Sequence, residues 1–324
     1  MDFGIELLGD VLTSPALRDG DIESERQVIL DELAMDDDSP EDVVHRVFAE
    51  QVFDGHALGR ETAGERSTVG MISGDAVRRF FAERYRAGNT VVAIAGAVDA
   101  DDVVSRVEEA FAALAPGDGR TPRDSPAGVG RSLELEDETE QMHIVVGGRS
   151  LRRDDPDREA LDVVNHVLGG GLSSRLFDEI RERRGLAYSV FSNAAAYADS
   201  GMWSVYAGTL PENAETVRRL IATELERLVT DGITADELAI AQGYLTGSYD
   251  MGLEDSSARM SRLGGQLTVF GRVRPVDEQI ARWESVSLAD TSRVIDRVYA
   301  APPLTVTLGP RAARSRSRRV RSHS

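Results

Sequence analysis

The 324-residue chain contains no cysteine and no lysine, so every one of its 37 basic residues is arginine. Without thiols there is no disulfide scaffold, no thiolate zinc or iron–sulfur site and no cysteine nucleophile. Without lysine there is no phosphate-binding P-loop, no Schiff base and no Ser–Lys dyad. Histidine is scarce. The five residues His45, His56, His143, His166 and His323 include no two that lie three to five apart, so no helix carries the paired imidazoles of a conventional zinc motif. Positive charge is in deficit too, and a net charge of −19 has the wrong sign for a general nucleic-acid binder. No apolar run reaches the ~18 residues of a membrane span, and no basic-then-apolar leader opens the sequence, so no membrane partner and a cytoplasmic location are expected. Glycine-rich dinucleotide and G-x-S-x-G nucleophile motifs are missing as well.

What is present is enough hydrophobic residue, 41%, to build real cores. The charge is uneven. Six arginines (Arg311, Arg314, Arg316, Arg318, Arg319, Arg321) and no acid lie in residues 311–324, which leaves the rest more negative still. This basic end has almost nothing to bury and is expected to be a disordered tail, the one segment where an acidic partner or nucleic acid would find a matching charge. Residues 115–130 concentrate Pro116, Pro122 and Pro126 with four glycines, which is linker chemistry between a unit at 1–114 and another at 131–310. Both units mix helix and strand signals. Ser39-Pro40 is a strong helix start, Ser73 and Asp155-Pro156 are two more, and Thr90–Gly96 and His143–Gly147 read as buried strands. The alternation predicts an α/β or α+β architecture.

The units also resemble each other. Ile22–Glu32 aligns with Ile233–Gly243 at an offset of 211, and Tyr85 leading to Gly96 aligns with Tyr299 leading to Gly309 at 214. The chain therefore reads as an internal duplication. At the first offset Met1 pairs with Glu212, so residues 131–211, 81 in all, have no counterpart in the first unit, which lacks its opening half.

Two groups of residues point to chemistry. On a helix read as Ile22–Asp37 and capped by Asp21, Glu25, Glu32 and Asp36 share one side, with apolar residues on both flanks. Carboxylates so placed need an arginine or a metal, unless the stripe is simply a solvated edge. In the second unit, Gly169-Gly170-Gly171 allows close approach of a ligand or another chain, and Arg181 and Tyr188 follow with one charge and one hydroxyl suited to polarising a carbonyl. The same stretch also reads as a helix C-cap followed by a salt-bridged helix.

Ile22–Glu32, Gly55-His-Ala-Leu-Gly-Arg60, Tyr85-x-x-x-Asn89-x-Val-Val-x-x-x-Gly96 and above all Leu168–Phe177 with Arg181–Tyr188 resemble the insulinase/pitrilysin zinc metallopeptidase family, in its mitochondrial-processing-peptidase-like branch. The resemblance covers Met1 to about Pro310. It implies two duplicated α+β domains, each an α/β sandwich with a mainly antiparallel sheet against helices, the first lacking its amino-terminal half. It implies an unfolded peptide substrate and zinc, with Glu32 as a metal ligand and Glu25 as a carboxylate orienting the site. Arg181 and Tyr188 would hold the substrate carbonyl and Gly169–Gly171 would face the substrate. The family's inverted His-x-x-Glu-His motif is absent and would fall inside the 81-residue deficit, so the chain alone is expected to hold no zinc and to show no peptidase activity. A homo- or heterodimer with a related subunit is expected. A non-catalytic partner or scaffold subunit, or a motif encoded upstream of Met1, are the other readings.

Overall fold

The computed structural model describes residues 2–118 and 123–310. The basic tail and the middle of the linker lie outside the described residues. Six helices come first: α1 (Asp2–Thr13), α2 (Asp19–Asp37), α3 (Pro40–Val52), α4 (Arg66–Val69), α5 (Gly74–Arg84) and α6 (Ala100–Ala110). After the linker come β1 (Leu133–Glu136), β2 (Met142–Ser150), α7 (Arg158–Asn165), β3 (Ala187–Ala196) and β4 (Gly201–Thr209). The chain then continues through α8 (Ala214–Asp231), α9 (Ala235–Gly252), α10 (Ser256–Phe270), α11 (Val276–Glu284), α12 (Leu288–Val298) and β5 (Leu304–Gly309).

The helix starts follow the local chemistry. The Ser39 hydroxyl accepts from the Asp42 amide with Pro40 in the first turn, and Ser73 caps α5 in the same way. Two expected starts shift. α2 begins at Asp19 with Arg18 before it and no side-chain cap, and α7 begins at Arg158, after Asp157, not at Asp155-Pro156.

Among the described residues there is one sheet, in the order β1-β5-β2-β4-β3, antiparallel throughout except for the β1–β5 pair. The expectation of a sheet in each unit is corrected: every strand lies after the linker. His143–Gly147 is a strand, but Thr90–Gly96, equally rich in β-branched residues, is not, and Val91 and Val92 are exposed. A strand is defined by its ladder, and no neighbouring segment offers Val91–Gly96 one.

One face of the sheet is covered by α7, α8 and α12, which bury Leu161, Val164, Ile221, Leu228, Val294 and Ile295 against Ile144 and Val205. The other face is covered from across the linker. Val44, Phe48 and Val52 of α3, with Phe53, are fully buried against Val145, Tyr206, Val306 and Leu308. Four fully buried side chains of this size contribute roughly 1.5–3 kcal/mol each by hydrophobic burial, so the two units are interlocked. Arginine-only basicity shows in the helical layer. Arg282 holds buried Glu159 with two 2.7 Å bonds, and Arg293 reaches buried Asp157 at 2.6 Å, fork geometry that lysine cannot supply.

Candidate peptide-binding site

The Leu168–Tyr188 stretch wraps one end of β3, the edge strand. α7 runs on into a widened π-type turn at His166–Gly170 and the chain enters a second at Phe177–Glu182; both pack on β3. Gly169 passes so close to that strand that a Cβ there would stand 2.6 Å from the Ser192 nitrogen. Its glycine is required by packing. Gly170 is exposed, Gly171 backs onto the buried His166 ring, and Leu172 projects at 79% exposure. Arg175 anchors the far side of the loop: its guanidinium takes both Glu237 oxygens, at 2.6 and 2.8 Å, and donates to the Gly232 carbonyl at 2.8 Å. That pairing holds the Glu237 carboxyl down at about 2.

The second turn ends at Gly185, whose φ of +61° belongs to the left-handed region. The Gly185 amide bonds the Arg181 carbonyl and the Leu186 amide bonds Ile180, turning the chain into β3. There the ladder breaks register. Ala187 pairs with Thr209 and Ser189 with Gly208, so Tyr188 is the extra residue of a bulge. A bulge at a sheet edge re-aims a side chain, and Tyr188 stands 81% exposed. The Arg181 guanidinium lies 5.1 Å from its ring centroid and 4.8 Å from that of Phe177. The structure thus brings the half-buried Arg181 and the exposed Tyr188 together at one end of the edge strand β3.

Beside Tyr188 lies a groove of about 540 Å³ lined by Pro40, Glu41, Glu140, His143, Ser189 and Tyr206 among others. The Tyr206 hydroxyl donates to Glu41 (3.3 Å) and sits 2.9 Å from His143 Nδ1. Burial, then the Glu41 charge, pushes the phenol up, and burial pulls both His143 and His45 down. His45 stacks beside Phe191 and Tyr206. Sequence reading missed this cluster because its members lie up to 165 residues apart.

The zinc-side carboxylates fare differently. Glu25 and Glu32 are exposed on α2, which buries only Leu33 and packs on α3 and α4. Among the described residues neither has a hydrogen bond or ion pair, and neither is joined to Arg181 or Tyr188. Among the described residues no three His, Asp or Glu side chains are placed to hold a metal. No helix among them is long and apolar enough to cross a membrane.

A family profile described as "Peptidase M16 inactive domain" matches residues 72–245. A Streptomyces coelicolor protein named an uncharacterized zinc protease is 38% identical over 98% of this chain and 71% of its own length. A Bacillus subtilis protein with the same descriptive name is 32% identical over 95% and 75%. Among solved structures, a peptidase M16 inactive domain from Pseudomonas fluorescens superposes with a TM-score of 0.89 at 22% identity, covering 96% of this chain and 75% of that one. A Helicobacter pylori protease superposes at 0.87, also with 22% identity, over 95% and 76%.

Proposed function

Because the chain belongs to the peptidase M16 family, whose relatives are named zinc proteases, we propose that it is the peptide-holding part of an M16-type metalloendopeptidase of the processing-peptidase kind, cytoplasmic and acting on unfolded peptides. The observation that carries this reading is the Arg181–Tyr188 pair raised on the bulge of an open strand edge. An extended peptide has unpaired amides and carbonyls, and a free strand edge pairs with them. Arg181 then supplies positive charge and Tyr188 a donor to one substrate carbonyl, the two groups a developing oxyanion needs. Gly170, Gly171 and Leu172 line the approach. No catalytic step is assigned to zinc, since the described residues do not form its site.

The chain by itself therefore binds unfolded peptide without cleaving it. Fluorescence anisotropy with a labelled unfolded peptide tests this: Arg181→Ala and Tyr188→Phe should each weaken binding several-fold with the fold unchanged. Unaltered affinity in both variants removes the site assignment, and zinc-dependent cleavage by the purified chain removes the inactivity. A second reading, a non-catalytic subunit that lends the pair to a related catalytic chain, is favoured by the pairing of Arg181 with Tyr188 where, among the described residues, no three side chains are grouped to hold a metal. It is supported if Arg181→Ala lowers cleavage by a mixture with a sibling that carries His-x-x-Glu-His.

A further inference from the structure

The helical layer contains a cavity of about 650 Å³ that peptide binding at Arg181 and Tyr188 does not use. It lies between the segment leading into α7, the end of α9, the end of α10 and α11. Tyr249, Phe270 and Trp283 are its aromatic lining, and Tyr249 and Trp283 meet edge to face at 5.3 Å. The cavity adjoins the end of β3 remote from Tyr188. Two of its lining residues are tied there: Arg153 donates to the Ala196 carbonyl and Arg158 to that of Ala194, both at 3.0 Å. At about 3.3 Å per residue the strand from Tyr188 to Ala196 spans roughly 25 Å, so the cavity is separate from the Arg181–Tyr188 pair.

Its charge runs against that of the molecule. In a chain of net charge −19, five arginines and four acids line this cavity. Each of those acids already has an arginine: Asp154 pairs with Arg152 at 2.8 Å, Asp155 with Arg297 at 2.9 Å, Glu159 with Arg282 at 2.7 Å and Asp162 with Arg158 at 2.9 Å. Arg152 and Arg297 stand outside the lining, so they neutralise acids of the cavity without using its own arginines. Arg153 and Arg272 are left with no carboxylate among the described residues. Burial adds to the imbalance by pushing the Asp162 carboxyl up, towards its neutral form. Donors are in excess as well, since Arg158 Nη1 is buried and meets no acceptor among the described residues.

We propose that this cavity is a binding site for a small molecule that carries an oxyanion on a planar aromatic ring. Its volume is that of a small-ligand pocket. Arg153 and Arg272 supply the counter-charge, and a guanidinium takes carboxylate or phosphate oxygens through two parallel N–H bonds. Tyr249, Phe270 and Trp283 offer the ring its stacking and edge contacts. The loop that carries Arg272 is held in place from below: Arg274 donates to Glu159 of α7 at 3.1 Å and to Gln279 of α11. Carboxylate and phosphate are alike to such a pair of arginines, and the experiment separates them. The proposal does not rest on peptide binding at the other end of β3, so loss of either reading leaves the other intact.

The full chain is titrated with naphthyl phosphate and, separately, with naphthoate, and binding is read by calorimetry and by the indole N–H signals of an isotope-labelled sample. The chain has two tryptophans and Trp203 is buried in the main core, so a shift confined to Trp283 puts the probe in the cavity. At least one of the two anions should bind with a Kd below about 1 mM and move Trp283 alone. Which of them binds names the acid group. Naphthol lacks the acid, inorganic phosphate and acetate lack the ring, and all three should bind at least about tenfold more weakly. Arg153→Ala and Arg272→Ala should each weaken binding about tenfold, while Arg218→Ala at an exposed site on α8 should not. Arg272 is exposed, so its variant keeps the fold and should bind labelled peptide as the wild type does. Failure of both anions to bind overturns the proposal. So does binding that leaves Trp283 unmoved or survives Arg272→Ala, and so does inorganic phosphate bound as tightly as the ring-bearing probes, which would make this a site for an adventitious ion only.

Discussion

Replacing Phe48 by alanine is the sharpest test of how the two units are joined. Phe48 is fully buried, its ring lies against β2, and a Cβ added at Gly147 would meet its ring carbon at 2.9 Å. Removing the ring takes away its transfer free energy and opens a cavity between a helix and a sheet that are each held by other contacts, so collapse is limited. Phe→Ala changes at such sites cost about 3–5 kcal/mol. The paired control is Phe80→Ala, where a ring of the same size is 60% exposed and the expected change is within about 0.5 kcal/mol. Urea unfolding followed by tryptophan fluorescence reads both, since buried Trp203 reports on β4 in the main core. A midpoint shift for Phe48→Ala with an unchanged denaturant slope is the expected result. A loss below about 1 kcal/mol would refute the reasoning, for it would mean that α3 comes and goes from the sheet without the core noticing.

Glu237→Gln tests the anchor behind the glycine turn. Because the native carboxyl is held at about 2, below its unfolded value, its stabilisation is present above about pH 4.5 and lost as the pH falls towards 2. Stability curves of wild type and variant, discounted for the partial exposure of the pair, should differ by about 1–2 kcal/mol at pH 7 and converge in acid. Gly169→Ala drives a methyl into the Ser192 backbone and should lower stability by about 1–3 kcal/mol, measurable by thermal melts. Gly171→Ala meets only the edge of the His166 ring and should be milder. Gly185→Ala forces a β-carbon into the left-handed region and should lose about 1 kcal/mol. Tyr188→Phe, at an exposed position, should leave the melting temperature unmoved while peptide binding falls.

Local chemistry was readable in the sequence wherever a few neighbouring residues decide the outcome. The Ser39-Pro40 and Ser73 starts need only a hydroxyl, a free amide and a fixed φ, and both stand as expected. Thr90–Gly96 and His143–Gly147 look alike as strings, yet only the second is a strand, because strand formation depends on partners dozens of residues away. The same reason hid the Tyr188 bulge, which exists only as a mismatch of register with β4, and the Glu41–Tyr206–His143 chain of hydrogen bonds, which spans three elements. For the acidic stripe, the sequence left a solvated edge open beside a paired or metal-bound one; Glu25 and Glu32 stand exposed on α2.

The placement of α3 changes what the linker separates. A protease that cut within residues 115–130 would sever the chain without parting the pieces, because Val44, Phe48, Val52 and Phe53 stay seated on β2, β4 and β5. The end of α3 is also strapped to the far bank of the cut, where the Gly130 amide bonds the Gln51 carbonyl at 2.7 Å and the Arg131 amide bonds its side chain at 3.1 Å. A nicked preparation would run as two bands on a denaturing gel and as one particle on a sizing column. Residues 131–310 made alone would instead present a bare sheet face of Val145, Tyr206, Val306 and Leu308, ready to stick to the next copy. The smallest self-sufficient piece of this molecule starts before Ser39, well inside what the composition marks as the other unit.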